Sequence, residues 1–436
     1  MHSTSLYQQV KNVITPYVVE HKISFTVALS GGVDSVVLLH VMNALKAEVP
    51  QLQLNAVYVN HGLSEYANNW QSFCKKLCAT LNITFYPAQV NIENKARTSL
   101  EELARDARYQ ALDHHSPTGS IILLGQHLND QLETFLLRLK RGSGLQGLAS
   151  MRQTRTLNSG RMCLRPLLNV TRQNIEQFAD DFNLSHITDD SNSDERFDRN
   201  FLRGKVVPVL SEKFTGFEKS ASRSISLLQQ QQDVLDEYTQ LDLAQSQNEH
   251  RGLSCEKMGV FSLPRQANVL RCWLGQFTRL MPSQKQTQQI LLQGLTAQRD
   301  AQLLIQLTEG QVRRHQGYLY FVNESVTAQK EQSVTSDNQK LSDGCYLMSF
   351  RGEGVRSPFA DEQVTVRFNC PQARIKPLKK PGHNTLKHWF KDAKVAPWLR
   401  ANIPLIFYNE QLVFVVGHFV SAEHYEQEGI FWKIKI

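Results

Sequence analysis

Residues 23–40, ISFTVALSGGVDSVVLLH, decide the fold. The apolar run from Ile23 to Leu29 reads as a strand buried on both faces, and the run that begins near Asp34 reads as a helix. Between them lies a tight turn, Ser30-Gly31-Gly32-Val33. Strand, glycine turn and helix N-terminus together make an anion cradle. Gly31 and Gly32 let the backbone approach a ligand, Ser30 and Ser35 offer hydroxyl donors, and the first N–H groups of the helix, around Val33, carry partial positive charge. No lysine follows the second glycine, so this is not a Walker A loop. Asp34 instead puts a carboxylate where phosphate would sit. That is repulsive unless a divalent cation lies between them, so Asp34 points to magnesium holding a pyrophosphate. The competing reading is an ordinary βα turn with an acid on the helix dipole.

Outward from this turn, short β-branched runs alternate with helical patterns over the first 215 residues, the mark of a parallel sheet covered by helices. Strands are expected at 23–29, 54–60, 84–90 and 120–125, and a helix at 99–115 with Ser99 and Glu102 in capping-box spacing. From about Phe217 the pattern becomes glutamine-rich and leucine-studded, which predicts an all-helical region. The polar stretch 328–343 has no apolar period and reads as a linker. Strand-like runs follow at 363–368, 404–408, 412–416 and 430–434. The expected architecture is therefore α/β: a parallel-sheet nucleotide-binding domain at 1–216, a helical domain at 217–327, a linker at 328–343 and a small β-rich domain at 344–436. A length of 436 residues supports it, since at about 150 residues per domain the prior is two to four.

Composition excludes several classes. Hydrophobic residues at 41% and charged residues at 20% are globular values. No apolar run approaches the roughly 18 residues of a bilayer span, and the start MHSTSLYQQV has no apolar signal core, so a cytoplasmic protein without membrane contact is expected. The 7 cysteines show no C-x-x-C pair, which suggests neither a zinc site nor a disulfide framework. The net charge of +7 is concentrated: residues 134–172 hold 8 basic residues and no acid, and residues 371–400 hold 8 basic residues against Asp392 alone. Two acid-poor stretches so far apart suit an extended polyanion, because phosphate contacts supply most sequence-independent nucleic-acid affinity. A solvated basic face is the alternative for either stretch alone.

SGGVDS resembles the PP-loop of the N-type ATP pyrophosphatases. His61-Gly62-Leu63, Arg108-Tyr109, GQHLNDQLET at 125–134, LKRGSG at 139–144, RPLL at 165–168 and DRNFLR at 198–203 narrow the resemblance to the tRNA(Ile)-lysidine synthetases. The segment from about 343 is similar to their terminal domain, so nearly the whole chain is covered. Gln126 and Asn129 depart from the pattern, standing where many relatives have a histidine and a second acid.

The resemblance implies ATP and Mg²⁺ as cofactors, with free L-lysine and the CAU-anticodon isoleucine tRNA as partners; it is compatible with a homodimer. The wobble cytidine is adenylated at its C2 carbonyl and attacked by the lysine side-chain amine, giving lysidine, AMP and pyrophosphate, and changing the codon read from AUG to AUA. By resemblance Asp34 holds the metal, Ser30 to Ser35 and His61 bind ATP, Asp130 orients the amine and accepts its proton, and Glu133 supports Asp130 or the metal. Arg108, Asp189, Arg199, Asn200 and Arg203 are candidates for lysine or cytidine, the competing reading being intradomain ion pairs. Lys140, Arg141, Lys379, Lys380, Lys387 and Lys391 are candidates for tRNA, with Trp389 and Trp398 as stacking platforms or core. A PP-loop tRNA sulfurtransferase and a non-catalytic tRNA-binding protein are the alternatives.

Overall fold

The computed structural model describes residues 2–18, 24–62, 64–90, 100–188, 196–296, 303–323, 330–342 and 345–435. It divides into two compact units, Met1–Asp236 and Glu237–Ile436.

The first unit runs α1 (His2–Ile14), β1 (Ser24–Ala28), α2 (Val33–Glu48), β2 (Gln53–Asn60), α3 (Ala67–Thr80), β3 (Thr84–Gln89), α4 (Leu100–His115), β4 (Ile121–Leu123), α5 (Leu128–Lys140), α6 (Leu145–Leu148), β5 (Thr154–Thr156), β6 (Met162–Leu164), α7 (Arg172–Asp181), α8 (Asp198–Phe201), a π-helical turn (Leu202–Val206) and α9 (Val207–Lys213). The long helix α10 (Phe217–Ser246) follows. The strands form one six-stranded sheet in the order β3-β2-β1-β4-β6-β5. All neighbours pair in parallel except β5 with β6. Each expected strand is present; β1, β3 and β4 are shorter than expected by a residue or more, and β2 begins one residue earlier.

Strand order explains where a ligand can go. The chain moves outward from β1 through β2 to β3, then returns to the other side of β1 as β4. Open α/β sheets bind ligands at that reversal, beyond the carboxyl ends of the two strands. The turn at 30–35 leaves β1 there, and the loop 124–127 leaves β4 there. The helix after β1 is fixed firmly: Val36, Val37, Leu38, Leu39, Val41 and Met42 are all fully buried. Burying such a side chain contributes about 1.5–3 kcal/mol, so α2 is a rigid mount.

The second unit corrects the expectation of an all-helical region. It contains β7 (Leu253–Ser254), α11 (Cys255–Gly259), α12 (Leu263–Leu274), α13 (Gln284–Thr296), β8 (Leu304–Leu307), β9 (Gly310–His315) and β10 (Tyr318–Val322). The strands form a four-stranded sheet, β7-β10-β9-β8, that shares a core with Trp273, Leu270 and Ile290. Alternating burial along β8 and a Gln316-Gly317 turn make these residues a meander, and the leucines around them fit strand period as well as helical period. Part of the expected linker is strand too: β11 (Gln332–Ser333) and β12 (Asn338–Ser342) pair with β14 (Val364–Arg367) and β13 (Cys345–Val355) respectively. Cross-strand hydrogen bonds hold this polar segment in place of an apolar period.

The rest comprises β15 (Arg374–Ile375), β16 (Asn384–Thr385), α14 (Leu386–Asp392), α15 (Pro397–Arg400), β17 (Leu405–Tyr408), β18 (Gln411–Val415), β19 (Phe419–Val420) and β20 (Tyr425–Lys435). A five-stranded sheet, β11-β14-β17-β18-β19, and a three-stranded one, β12-β13-β20, share a core around Ile406, Val413 and Trp432. Among the described residues no helix is long and apolar enough to cross a membrane.

Candidate active site

The turn after β1 closes on itself. Gly31 has φ +89, and a Cβ there would meet the Ile187 side chain at 2.5 Å, so only glycine fits. Gly32 has φ −69 and is sterically relaxed. The Ser35 hydroxyl accepts from the Ser30 N–H at 3.1 Å and donates to the Gly32 carbonyl at 2.9 Å, which makes it a brace of the turn. Ser30 is exposed, while the Val33 side chain belongs to the core.

Asp34 sits in the first turn of α2, and its Oδ1 is buried without a hydrogen-bond partner. Burial pushes its carboxyl above the ordinary carboxylate range, and His127 and Arg172 only partly offset this. His127, 1% exposed, immediately precedes α5. Its Nε2 lies 3.6 Å from Asp34 Oδ1 and 3.6 Å from Asp130 Oδ2, too far for hydrogen bonds and close enough for charge. His127 therefore joins the two acids. Gly125 permits this approach: a Cβ at that position would lie 3.2 Å from the Asp34 carbonyl carbon and the Ser35 nitrogen.

Asp130 and Glu133 lie on one face of α5, as their spacing predicts. Glu133 is 1% exposed. Arg199 Nε donates to Glu133 Oε2 at 2.6 Å and Arg203 Nε to Oε1 at 2.7 Å. The same two guanidiniums donate to Asp130 Oδ1 at 3.0 and 3.2 Å, and the His127 N–H donates to Oδ2 at 3.0 Å. Burial pushes the Asp130 carboxyl up, but His127, Arg199 and Arg203 outweigh it and hold its pKa below the ordinary range. Arg199 and Arg203, expected on lysine or cytidine, thus bind the two acids directly. The ion-pair reading describes these contacts, since a carboxylate this deep in the protein needs its countercharge.

The other expected residues fall as follows. His61 follows β2, half-buried, with an unpartnered Nδ1; burial and the Arg108 charge hold its pKa below the ordinary histidine range. Arg108 is exposed on α4, 5.9 Å from the Tyr109 ring centroid. Asn200 lies in α8, and Asp189 lies outside the described residues. Lys140 pairs with Asp198 at 2.7 Å, and Arg141 is exposed at the end of α5. Lys379, Lys387 and Lys391 are exposed; Lys380 pairs with Asp392 at 2.8 Å. Trp389 is core, 4% exposed, and its indole N–H donates to the Ile375 carbonyl at 2.9 Å. Trp398 packs against Tyr320 at 5.6 Å.

Sequence reading missed a second group. Asn129 donates to Glu218 Oε1 at 3.1 Å and accepts from the Arg172 N–H at 2.9 Å. An aspartate there would face Glu218 and could not donate, which accounts for this departure from the pattern. Gln126, the other departure, accepts from Arg165 Nε. Asn129, Glu133, Arg172, Arg203, Ser211 and Glu218 line a cavity of about 180 Å³.

Three comparisons bear on this site. Family models match a PP-loop domain at residues 2–210, a TilS substrate binding domain at 253–320 and a TilS substrate C-terminal domain at 364–435. The tRNA(Ile)-lysidine synthase of Photobacterium profundum is 38% identical over 416 residues, 94% of this chain and 95% of the relative. That of Vibrio parahaemolyticus is 36% identical over 436 residues, 98% and 99% of the two chains. Among solved structures, a U34-tRNA thiolase from Methanococcus maripaludis aligns with 52% of this chain and 79% of its own, at 16% identity and a TM-score of 0.45.

Proposed function

The chain belongs to the tRNA(Ile)-lysidine synthase family, and from that premise we propose that it ligates L-lysine to C2 of the wobble cytidine in the CAU anticodon of isoleucine tRNA, using ATP and acting in the cytoplasm. Adenylation of the C2 oxygen turns it into AMP, a competent leaving group, and the lysine ε-amine displaces it. The observation that carries this reading is the Asp34–His127–Asp130 series, which joins the nucleotide turn to the acids on α5 across the sheet's switch point.

ATP binds at residues 30–35, its triphosphate against the N-terminus of α2. The residues fit a magnesium ion: Asp34 Oδ1 is a buried carboxylate oxygen lacking any partner, and magnesium characteristically takes one or two carboxylates with substrate phosphates supplying the rest. When bound, the metal neutralises the departing pyrophosphate.

Lysine enters the cavity beside Glu133. Arg172 and Arg203 suit its carboxylate and Glu218 its α-ammonium, which leaves the ε-ammonium for Asp130 and Glu133. Those acids already hold two guanidiniums, so the incoming ammonium exchanges with Arg199 or Arg203. The depressed pKa of Asp130 suits it to orient an ammonium and makes it a weak acceptor of a proton from an amine of pKa about 10.4. Asp130 therefore takes the orienting half of its expected role, and the ε-ammonium gives up its proton to solvent before the amine attacks.

The sulfurtransferase alternative needs a reactive thiolate. Cys74 and Cys78 are buried, and burial pushes both thiols up to about 12, which leaves them inert. Incubation with ATP, magnesium, lysine and the cognate tRNA should release pyrophosphate and yield lysidine by nucleoside mass spectrometry. A tRNA-binding protein without activity would yield neither.

A further inference from the structure

Outside the acidic centre, four arginines gather around one tyrosine. Tyr109, Arg105 and Arg108 lie on α4, Arg155 on β5, and Arg165 just after β6. The Arg155 guanidinium lies 4.6 Å from the Tyr109 ring centroid, with Arg105 and Arg108 at 5.8 and 5.9 Å. Arg165 is 3% exposed and held in place, donating to the Gln126 side chain and to the Arg152 carbonyl at 2.7 Å. Among the described residues no carboxylate salt bridge reaches these four, whereas the neighbouring Arg152 and Arg161 have theirs, to Asp233 and Asp113.

The tyrosine marks the cluster as a built site. Tyr109 is 5% exposed, and its hydroxyl is buried with no hydrogen-bond acceptor. Burial pushes the phenol up, yet Arg165, Arg105, Arg108 and Arg155 together pull its pKa below the ordinary value. Four like charges and an unmet O–H donor form a costly arrangement that one anion would relieve at every point. Guanidinium forks match phosphate oxygens. Arg105, Arg108 and Arg155 are exposed, which suits a strand lying across the surface better than an enclosed small ligand. The location is also telling, because Gln126, which accepts from Arg165, directly precedes His127.

We propose that Arg105, Arg108, Arg155 and Arg165, with Tyr109 at their centre, clamp a backbone phosphate of the RNA strand next to the modified nucleotide, separately from the turn that grips ATP. The clamp rests on the RNA-modifying reading above. It would fix the strand by its backbone and leave the base free to turn into the crevice, which is how phosphate contacts position without reading sequence.

The test compares the full-length Arg105→Ala/Arg155→Ala variant with the natural chain. Affinity for unmodified tRNA and for its anticodon stem-loop is measured between about 50 and 200 mM salt, and affinity for ATP with magnesium is measured separately. The expected result is roughly tenfold weaker binding of both RNAs, a salt slope lower by about 1 to 2, and unchanged ATP affinity. Arg105→Lys/Arg155→Lys, which keeps charge without the fork, should retain the slope and lose part of the affinity. Unchanged RNA affinity and slope in the alanine variant would overturn the clamp. So would a parallel loss of ATP affinity, which would assign the cluster to the nucleotide. Pyrophosphate release by the natural chain is scored independently, so a failed reaction with intact arginine-dependent RNA binding would sink the enzymatic reading alone.

Discussion

Asp34 and the Asp130–Glu133 pair occupy similar places, each within the first two turns of a helix on the same crevice, and they are provisioned in opposite ways. Asp34 has a buried oxygen with nothing bonded to it and a carboxyl pushed up by burial. Asp130 and Glu133 are saturated by Arg199, Arg203 and the His127 N–H. One acid has an unbonded buried oxygen; the others are ion-paired. The difference teaches how a crevice can hold three acids at once: two are neutralised by arginines of the fold, and the third keeps a buried oxygen with no partner in the protein.

The contrast can be broken in four ways. The largest effect is expected for Asp34→Ala, which should cut pyrophosphate release by roughly a thousandfold or more while leaving tRNA affinity nearly intact. Normal release would mean that the unpartnered oxygen has no role. Next, Glu133→Gln should destabilise the first unit by roughly 3 kcal/mol in denaturant unfolding, because it leaves two guanidiniums half-compensated in a buried place. No change in midpoint would show that the arginines reach water when released.

Third, charge reversal at Lys379, Lys380, Lys387 and Lys391 should weaken tRNA binding and flatten its salt dependence, with pyrophosphate release preserved at saturating tRNA. An unaltered slope would mean that this basic stretch faces away from RNA. The smallest effect concerns pH. Asp130 has a folded pKa below its ordinary 3.8, so it binds a proton less readily in the folded chain than in the unfolded one. Its contribution to stability is therefore complete above that value and fades as pH falls beneath it. The melting difference between the natural chain and Asp130→Asn should shrink below about pH 4. A difference that persists would show that the arginines do not hold Asp130 ionised.

Much of this was legible along the chain, and the limits are instructive. The turn at 30–35 could be read because its parts are contiguous: strand, glycine and helix start must follow one another to make a cradle. The α5 face carrying Asp130 and Glu133 was equally local. Arg199 and Arg203 were visible as residues, but their attachment to those acids spans 66 to 73 positions, and nothing in a one-dimensional pattern fixes such a pairing. The Tyr109 cluster drew its four arginines from three separate elements, so it was hidden for the same reason. The meander at 304–322 departs from the expected helix because strands of four to six residues are too short for their apolar spacing to tell strand from helix. Trp389 among lysines reads as a stacking platform or as core, and of the two the indole fills a small core.

The glycine at 125 sets how wide the crevice is. Its missing methyl lets the loop after β4 rest directly on the first turn of α2, where a Cβ would lie only 3.2 Å from backbone atoms of Asp34 and Ser35. Any larger residue would wedge the two helix starts apart by a few tenths of an ångström, and His127 could then no longer sit midway between Asp34 and Asp130. A single hydrogen atom acts as the gauge that keeps the start of α2 in register with the start of α5.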